Sequence, residues 1–294
     1  MSPEKPRLLV IGSRGFLGSY AAQAATADFA VIEGNRSPTG QPGVVIDVRD
    51  EYSVKTAFQA VHPDLVVLCS AISDIDRCEQ FPDEAHAVNL HGAEHISYSC
   101  ARNNARLLFI STGAVFDGRK HGYTEEDPVS PVSVYGETKA MAEKSVLALG
   151  SSAIVVRIAL AIGFAPHSGT NSLLDNLKKR WASGQVIALP VHEQRNPIDA
   201  VTASQFILEL LKKKTAYGIF HVGCASPITR YDLGVKLASR MGYPGKVEPQ
   251  WAPIPGRAPR GPDHYLLTDK LQAVSAIPIP TCEQVIERCF DVFA

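Results

Sequence analysis

Short, unbroken apolar runs alternate with longer stretches of mixed character through the first half of the chain. Arg7 to Ile11 (RLLVI), Leu65 to Cys69 (LVVLC) and Arg106 to Ile110 (RLLFI) are apolar at nearly every position, as strands buried on both faces are. Phe29 to Glu33, Val44 to Ile46 and Ser152 to Arg157 predict three more strands. Between them, SYAAQAATA after Gly18 is rich in helix formers, and Glu51 to Val61 predicts a helix. Asp76 to Asn103 reads as helix with breaks at Pro82 and Gly92, and another helix follows Pro131. Strand and helix in repeated alternation predict an α/β fold, a Rossmann-type doubly wound parallel sheet.

Past about residue 160 the alternation is lost and Pro and Gly become frequent. Leu173 to Trp181, Thr202 to Lys213 and Tyr231 to Met241 predict helices, Phe220-His221-Val222 a short strand, and Tyr243 to Pro262 a proline-rich loop. The change divides the chain into residues 1–160 and residues 161–294, with about 195–222 returning to the first part.

Composition narrows the classes. In 294 residues, 45% hydrophobic and 20% charged content is ordinary for a soluble globular protein. A net charge of −1 leaves no basic footprint for nucleic acid and no support for a membrane-surface role. The apolar run near the N-terminus is too short for a signal peptide, and no stretch approaches the roughly 20 apolar residues of a membrane span. The six cysteines form no CxxC pair and read as reduced thiols, which predicts a cytoplasmic protein. His91 and His95 are four apart, but no third ligand accompanies them, so they read as helix-surface residues and no metal is expected.

Two stretches carry the chemistry. GSRGFLG, with Gly12, Gly15 and Gly18, stands between the first strand and the first helix, an order that lets backbone and a helix N-terminus approach a pyrophosphate. After the second strand come Asn35, Arg36 and Ser37. No acidic side chain stands among them, and Arg36 can pair with a 2′-phosphate, so NADP is favoured over NAD; Glu33 nearby weighs the other way. The second stretch is VYGETK. On a helix, Tyr135 and Lys139 share one face, where an ammonium would draw the phenol toward neutrality and fit it for proton transfer. With 9 Tyr and 13 Lys in 294 residues, chance alone supplies about 0.4 such pairs, so the pair gains weight only from its setting. That setting includes Ser111-Thr112, delivered at the end of a buried strand, where open α/β sheets place ligands.

Together these stretches resemble the extended branch of the short-chain dehydrogenase/reductase superfamily. More narrowly, GSRGFLG, PDLVVLCSAISDIDRCE, AVNLHG, FISTGAVFDG, PVSVYGETKAMAE, VVRIALAIG and, faintly, PRGPDHYLLTDKL resemble the dTDP-4-dehydrorhamnose reductase (sugar-nucleotide-binding) family. The resemblance implies an NAD(P)H-dependent reductase of a keto group on a nucleotide-linked sugar, with residues 1–160 as the dinucleotide-binding Rossmann domain and residues 161–294 mainly a smaller C-terminal substrate lobe. It implies that Gly12, Ser13, Arg14, Gly15, Phe16, Leu17 and Gly18 hold the pyrophosphate, that Asn35, Arg36 and Ser37 meet the adenosine ribose or its phosphate, and that Asp47 and Val48 flank the adenine. Ser70 and Ala71 would line the nicotinamide side. Thr112 would hold the substrate oxygen, Tyr135 would donate the proton, and Lys139 would bind the nicotinamide ribose. Ser73, Thr112, Gly113, Tyr135 and Arg260 would make the substrate set. Homodimers are common in that family.

The chain departs from the family at two places that face the sugar. Gly113-Ala114 stands where Asp-Tyr is usual, and Leu160 stands where an aromatic is usual. Both departures bear on which sugar is accepted. Two alternatives use the same fold: a nucleotide-sugar epimerase or dehydratase, and a non-catalytic NADP-binding regulatory subunit. Gly113-Ala114 lacks the acidic pair of the dehydratases, and the intact Thr112, Tyr135 and Lys139 argue for catalysis.

Overall fold

The computed structural model describes residues 5–38, 43–167 and 170–291; Met1 to Glu4, ahead of the N-terminal apolar run, lies outside the described residues. In chain order the elements are β1 (Arg7–Ile11), α1 (Phe16–Ala25), β2 (Ala30–Asn35), β3 (Gly43–Val45), α2 (Glu51–Val61) and β4 (Leu65–Leu68). Next come α3 (Ile75–Gln80), α4 (Pro82–Ala85), a π-helical turn (His86–His91), α5 (Gly92–Asn103), β5 (Arg106–Thr112), α6 (Val134–Leu147) and β6 (Ala153–Ile158). The second half runs β7 (Leu160–Ile162), α7 (Leu173–Ala182), β8 (Ile187–Pro190), β9 (Gln194–Arg195), β10 (Pro197–Asp199), α8 (Ala200–Lys212) and β11 (Gly218–Val222). It ends with β12 (Ile228–Thr229), α9 (Arg230–Arg240), β13 (Val247–Gln250), β14 (Asp263–His264), α10 (Asp269–Val274) and α11 (Cys282–Asp291).

Seven strands form one parallel sheet in the order β11-β6-β5-β4-β1-β2-β3. The expected short strand at 220–222 is longer and becomes the seventh, joining β6 from Gly218 onward. Side chains along each strand divide between two cores, as the two-residue repeat of a strand requires. Leu8, Val10, Leu108 and Val156 pack beneath α1 and α8 with Phe206 and Ile207. Leu9, Ile11, Phe109 and Val155 pack beneath α2, α5 and α6 with Phe58 and Ile96. With both faces covered in this way, the strands read as continuous apolar runs.

The expected breaks between Asp76 and Asn103 fall differently. The chain interrupts at Phe81, and Pro82 opens α4 at a position where a missing N–H costs nothing. Gly92 keeps helical dihedrals (φ −58°, ψ −43°), because Ala93 and Ile96 beside it are buried and hold the helix by packing. The π-helical turn lies between these points. His91 pairs with Glu94 at 2.9 Å, and His95 donates from Nδ1 to the Val48 carbonyl at 2.9 Å.

Outside the seven-stranded sheet the second half contributes α7, α9 and short strand pairs. β13 runs parallel to β8, and β9 lies between β12 and β14. Trp181, fully buried, anchors α7 by donating from its indole to the Lys246 carbonyl at 3.1 Å. No helix among the described residues is long and apolar enough to cross a membrane.

One close approach seats α6 on the sheet edge. A Cβ at Gly136 would fall inside contact distance of the Ala114 carbonyl oxygen and 3.0 Å from Pro131 Cβ. Overpacking of this kind costs about 1–3 kcal/mol. Gly136→Ala is therefore expected to lower the free energy of unfolding by about that amount in urea titrations; a variant as stable as the parent would contradict this packing.

Candidate active site

The sheet order reverses between β1 and β4, and the turns that leave those strands frame the first half of the site. After Ile11 the chain turns through Gly12, whose N–H donates to the Gly34 carbonyl at 2.7 Å. Gly18 lies so close to the Gly12 carbonyl that no side chain fits between them. The N-terminus of α1 has Gly15 at its cap, no side-chain hydrogen bond and no acidic residue in its first turn. By contrast α2, α6, α7, α8 and α9 are capped by Asp50, Ser133, Ser172, Asp199 and Thr229. The free N–H groups of α1, with Phe16 and Leu17 in its first turn, are left for an external anion.

Polar side chains stitch this turn to the end of β2. Ser13 donates to Glu33 at 3.0 Å, Asn35 donates to Ser13 at 2.6 Å, and the Arg14 N–H donates to Asn35 at 3.1 Å. A cavity of about 320 Å³ opens beside them. It is lined by Gly12, Asn35, Arg36, Asp47, Val48, Ser70 and Ala71, all singled out in the sequence, and by Arg49, Ile72 and Arg77, which were not. Glu33 lines a neighbouring groove with Ser13, Ser19 and Gln23. Asp47 is held below the usual carboxylate range by its hydrogen bond from Arg49, with Arg36 adding to the effect. Arg36 is exposed and forms no ion pair among the described residues, and Ser37 beside it is exposed.

The second half of the site lies at the ends of β5 and α6. Thr112 Oγ1 accepts from the Ala114 N–H at 3.1 Å and fixes the turn after β5. Ser133 caps α6 by accepting from Gly136, and the Val134 N–H donates to Glu79 at 3.0 Å, which ties the helix to α3. Tyr135 and Lys139 follow on successive turns. Lys139 is 2% exposed, and its ammonium lies over the Phe109 ring, 3.8 Å from the centroid.

Here the expected direction of tuning is reversed. Burial pushes Tyr135 up to about 12, with a hydrogen bond from Thr112 opposing. Burial pulls Lys139 down to about 7, while Glu143 favours its charged form. The sequence places the two side chains on one face but does not report that the surroundings are an aromatic ring and two buried thiols. In such surroundings the loss of hydration outweighs the pairwise effect.

Three further groups emerge only in the fold. Asn89, on the π-helical turn within the AVNLHG stretch, accepts from Ile72 N–H at 2.8 Å and donates to the Ile72 carbonyl at 3.1 Å, which clamps the loop holding Ser70 and Ala71. Glu143 forms two bonds with Arg157, 2.9 Å at Nε and 2.6 Å at Nη2, and accepts from Ser111. Ser111, Arg157 and His221 are register partners across β5, β6 and β11. Burial pushes His221 down to about 3 and keeps it neutral.

On the substrate side the expected residues are spread over two elements. Ser73 is exposed on the loop before α3 and receives a hydrogen bond from Asn171 at 3.4 Å. Arg260 reaches across from the proline-rich loop to Asp76, with bonds of 3.0 and 2.7 Å, and Asp76 also accepts from the Ala258 N–H at 2.7 Å. Arg260 is thus already engaged by a carboxylate. Arg257 and Arg195 are both drawn to Glu193. Arg230 is half-buried and forms no ion pair among the described residues. The space beside Gly113 is filled by His264, whose ring donates to the Phe116 carbonyl at 3.2 Å and is kept neutral by burial. His264 has no counterpart in the sequence expectations; it lies in the faintest of the matching stretches.

A sequence profile of the family described as RmlD substrate binding domain matches residues 6–294. The chain is 30% identical over 280 residues to a dTDP-4-dehydrorhamnose reductase of Mycolicibacterium smegmatis, covering 92% of this chain and 80% of that protein. It is 27% identical over 243 residues to the methionine adenosyltransferase 2 subunit beta of Rattus norvegicus, covering 81% and 73%. Among solved structures it resembles dTDP-4-dehydrorhamnose reductase from Bacillus anthracis in complex with NADP, with a TM-score of 0.88, 21% identity and coverage of 99% and 100%. With the profile spanning all but the first five residues, the chain belongs to the RmlD substrate-binding domain family.

Proposed function

We propose that the protein is an NADPH-dependent reductase of a keto group on a nucleotide-linked sugar. The observation that carries this reading is the hydrogen bond between Thr112, at the end of β5, and Tyr135 on α6, with Lys139 one turn further along that helix, in a sheet whose other strand ends border a cavity lined by Asn35 and Arg36. The relative named dTDP-4-dehydrorhamnose reductase supports the reaction class and the nucleotide-sugar class.

The cofactor fits what the chain offers. The uncapped α1 would receive the pyrophosphate, and Gly12 to Gly18 leave room for it. Arg36 and Ser37 would hold the 2′-phosphate, Asp47 and Val48 would border the adenine, and Ser70 and Ala71 would face the nicotinamide. When bound, NADPH supplies the hydride for the keto carbon. Thr112 and Tyr135 hydrogen-bond the keto oxygen as charge develops on it, and Tyr135 passes it a proton, leaving an alcohol. A phenol that stays protonated well above neutral pH suits this donor role. The Lys139 ammonium bonds the ribose and steadies the phenolate that remains. Arg230 and Arg260 would meet the substrate's diphosphate, with Ser73 and Gly113 nearer the sugar. All six cysteines are free, and we read the enzyme as cytoplasmic on that ground.

Gly113-Ala114 disfavours a dehydratase, which needs acidic groups there. A regulatory role, suggested by the relative named as a subunit beta, is distinguished by turnover. The deciding experiment follows NADPH absorbance with dTDP-4-dehydrorhamnose, other nucleotide-linked 4-keto sugars and simple ketones. Consumption with a nucleotide-linked ketone is expected. Tight NADPH binding with no consumption across the panel would overturn the reading in favour of the regulatory one.

Tyr135→Phe is expected to bind NADPH within about threefold of the parent and to lose about 10²–10⁴ in kcat; an unchanged kcat would remove Tyr135 from the mechanism. Arg36→Ala is expected to raise the Kd for NADPH by about 10- to 100-fold, the worth of a charge-assisted bond. The Kd for NADH should be left nearly unchanged. Equal losses for both cofactors in fluorescence titrations would assign Arg36 another role.

A further inference from the structure

Several buried charged groups take no part in this mechanism, and one of them stands on the helix that carries Tyr135 and Lys139. Glu143 is 3% exposed, stands one turn beyond Lys139 on α6, and is held by Arg157 and Ser111. A buried ion pair is weak evidence for stability, because desolvation offsets most of its attraction. Its place asks for another explanation. Tyr135, Lys139 and Glu143 recur every four residues along one helical face, and Glu143 is the last of the three.

The surroundings of Lys139 contain few charges. Phe109 from β5 offers a ring face. Cys69, just after β4, and Cys78, from α3, are neutral thiols, since burial pushes them up to about 12 and about 11. Tyr135 is a neutral phenol. From β6 Arg157 brings a positive charge, and His221 beside it on β11 is neutral. At neutral pH the anion among the groups acting on Lys139 is therefore Glu143. Its carboxylate is also bound by Arg157.

We propose that Glu143 is a positioning residue that keeps Lys139 in its ammonium form for the cofactor ribose, and that Arg157 sets the strength of that effect by drawing part of the carboxylate's charge to itself. Ser111, in register with Arg157 and one residue before Thr112, fixes the carboxylate's orientation from the same strand that carries the substrate-holding hydroxyl. The site's proton donor, its ribose ligand and their electrostatic support thus stand on one helix against one strand end. This inference rests on the reductase reading, in which Lys139 meets the cofactor.

The test is the pH dependence of the NADPH Kd, read by fluorescence from about pH 6 to pH 9.5, with turnover followed in parallel. In the parent, affinity falls as pH rises and Lys139 loses its proton. Glu143→Gln keeps the size and removes the negative charge, together with the hydrogen bonds that one carboxylate oxygen accepts. The fall should then begin about one pH unit lower. Arg157→Gln releases the carboxylate from its partner and should move the fall the other way, to higher pH. Ser111→Ala changes no charge; its fall should stay near the parent's, which controls for loosened packing. Opposite displacements are the signature, because a merely structural role would move both variants alike. A fall that stays in place in Glu143→Gln, or shifts of the same sign in both variants, would overturn the proposal. If Glu143→Gln does not fold, Arg157→Gln decides alone: an upward shift supports the proposal, and no shift or a downward one refutes it. Failure of the reductase reading would look different, as a parent protein that binds no NADPH or turns over no ketone.

Discussion

A parallel sheet covered on both faces can offer polar chemistry only at the ends of its strands. That constraint arranges the whole molecule. Interior strand positions are apolar because two cores claim alternate side chains, as Leu8 and Leu9 illustrate from adjacent positions. The chain must therefore place its working groups where the strands stop: Gly12 after β1, Asn35 at the end of β2, Ser70 after β4, Thr112 at the end of β5. The tolerated polar exception, the row formed by Ser111, Arg157 and His221, sits near those ends and is satisfied by Glu143 from the covering helix.

The same constraint explains what could be read in advance. Continuous apolar runs, a glycine turn and helix-forming stretches are local signals, and they located β1, α1, α2, β5 and α6 closely. Tyr135, Lys139 and Thr112 were legible because their spacing and order are also local. Glu143, Arg157 and His221 were not. Their meaning comes from register between strands far apart in sequence, and a glutamate four residues after a lysine on a helix looks like an ordinary surface pair. Asn89 was hidden in a quoted stretch whose π-helical turn no spacing rule announces. Gly218 opens β11, and a glycine there reads as a turn, which concealed where the strand begins.

Protonation was the least legible property. A tyrosine and a lysine four residues apart imply mutual tuning when seen alone. Burial reverses the expected result: the phenol moves away from neutrality and the amine moves toward it. For a reduction this is the more useful arrangement, since the acid keeps its proton and the amine becomes sensitive to the field of its neighbours. Chemical identity is set by the helix face, while proton affinity is set by what the rest of the fold packs around it.

The link between Asp76 and the segment Ala258 to Arg260 has a mechanical side. It joins the first turn of α3 to the proline-rich loop, and does so through side chains and one N–H rather than through shared secondary structure. Asp76 is half exposed to solvent. Dissolved ions weaken attractions between groups so exposed. How firmly α3 holds that loop is then governed partly by the ionic medium as well as by the chain.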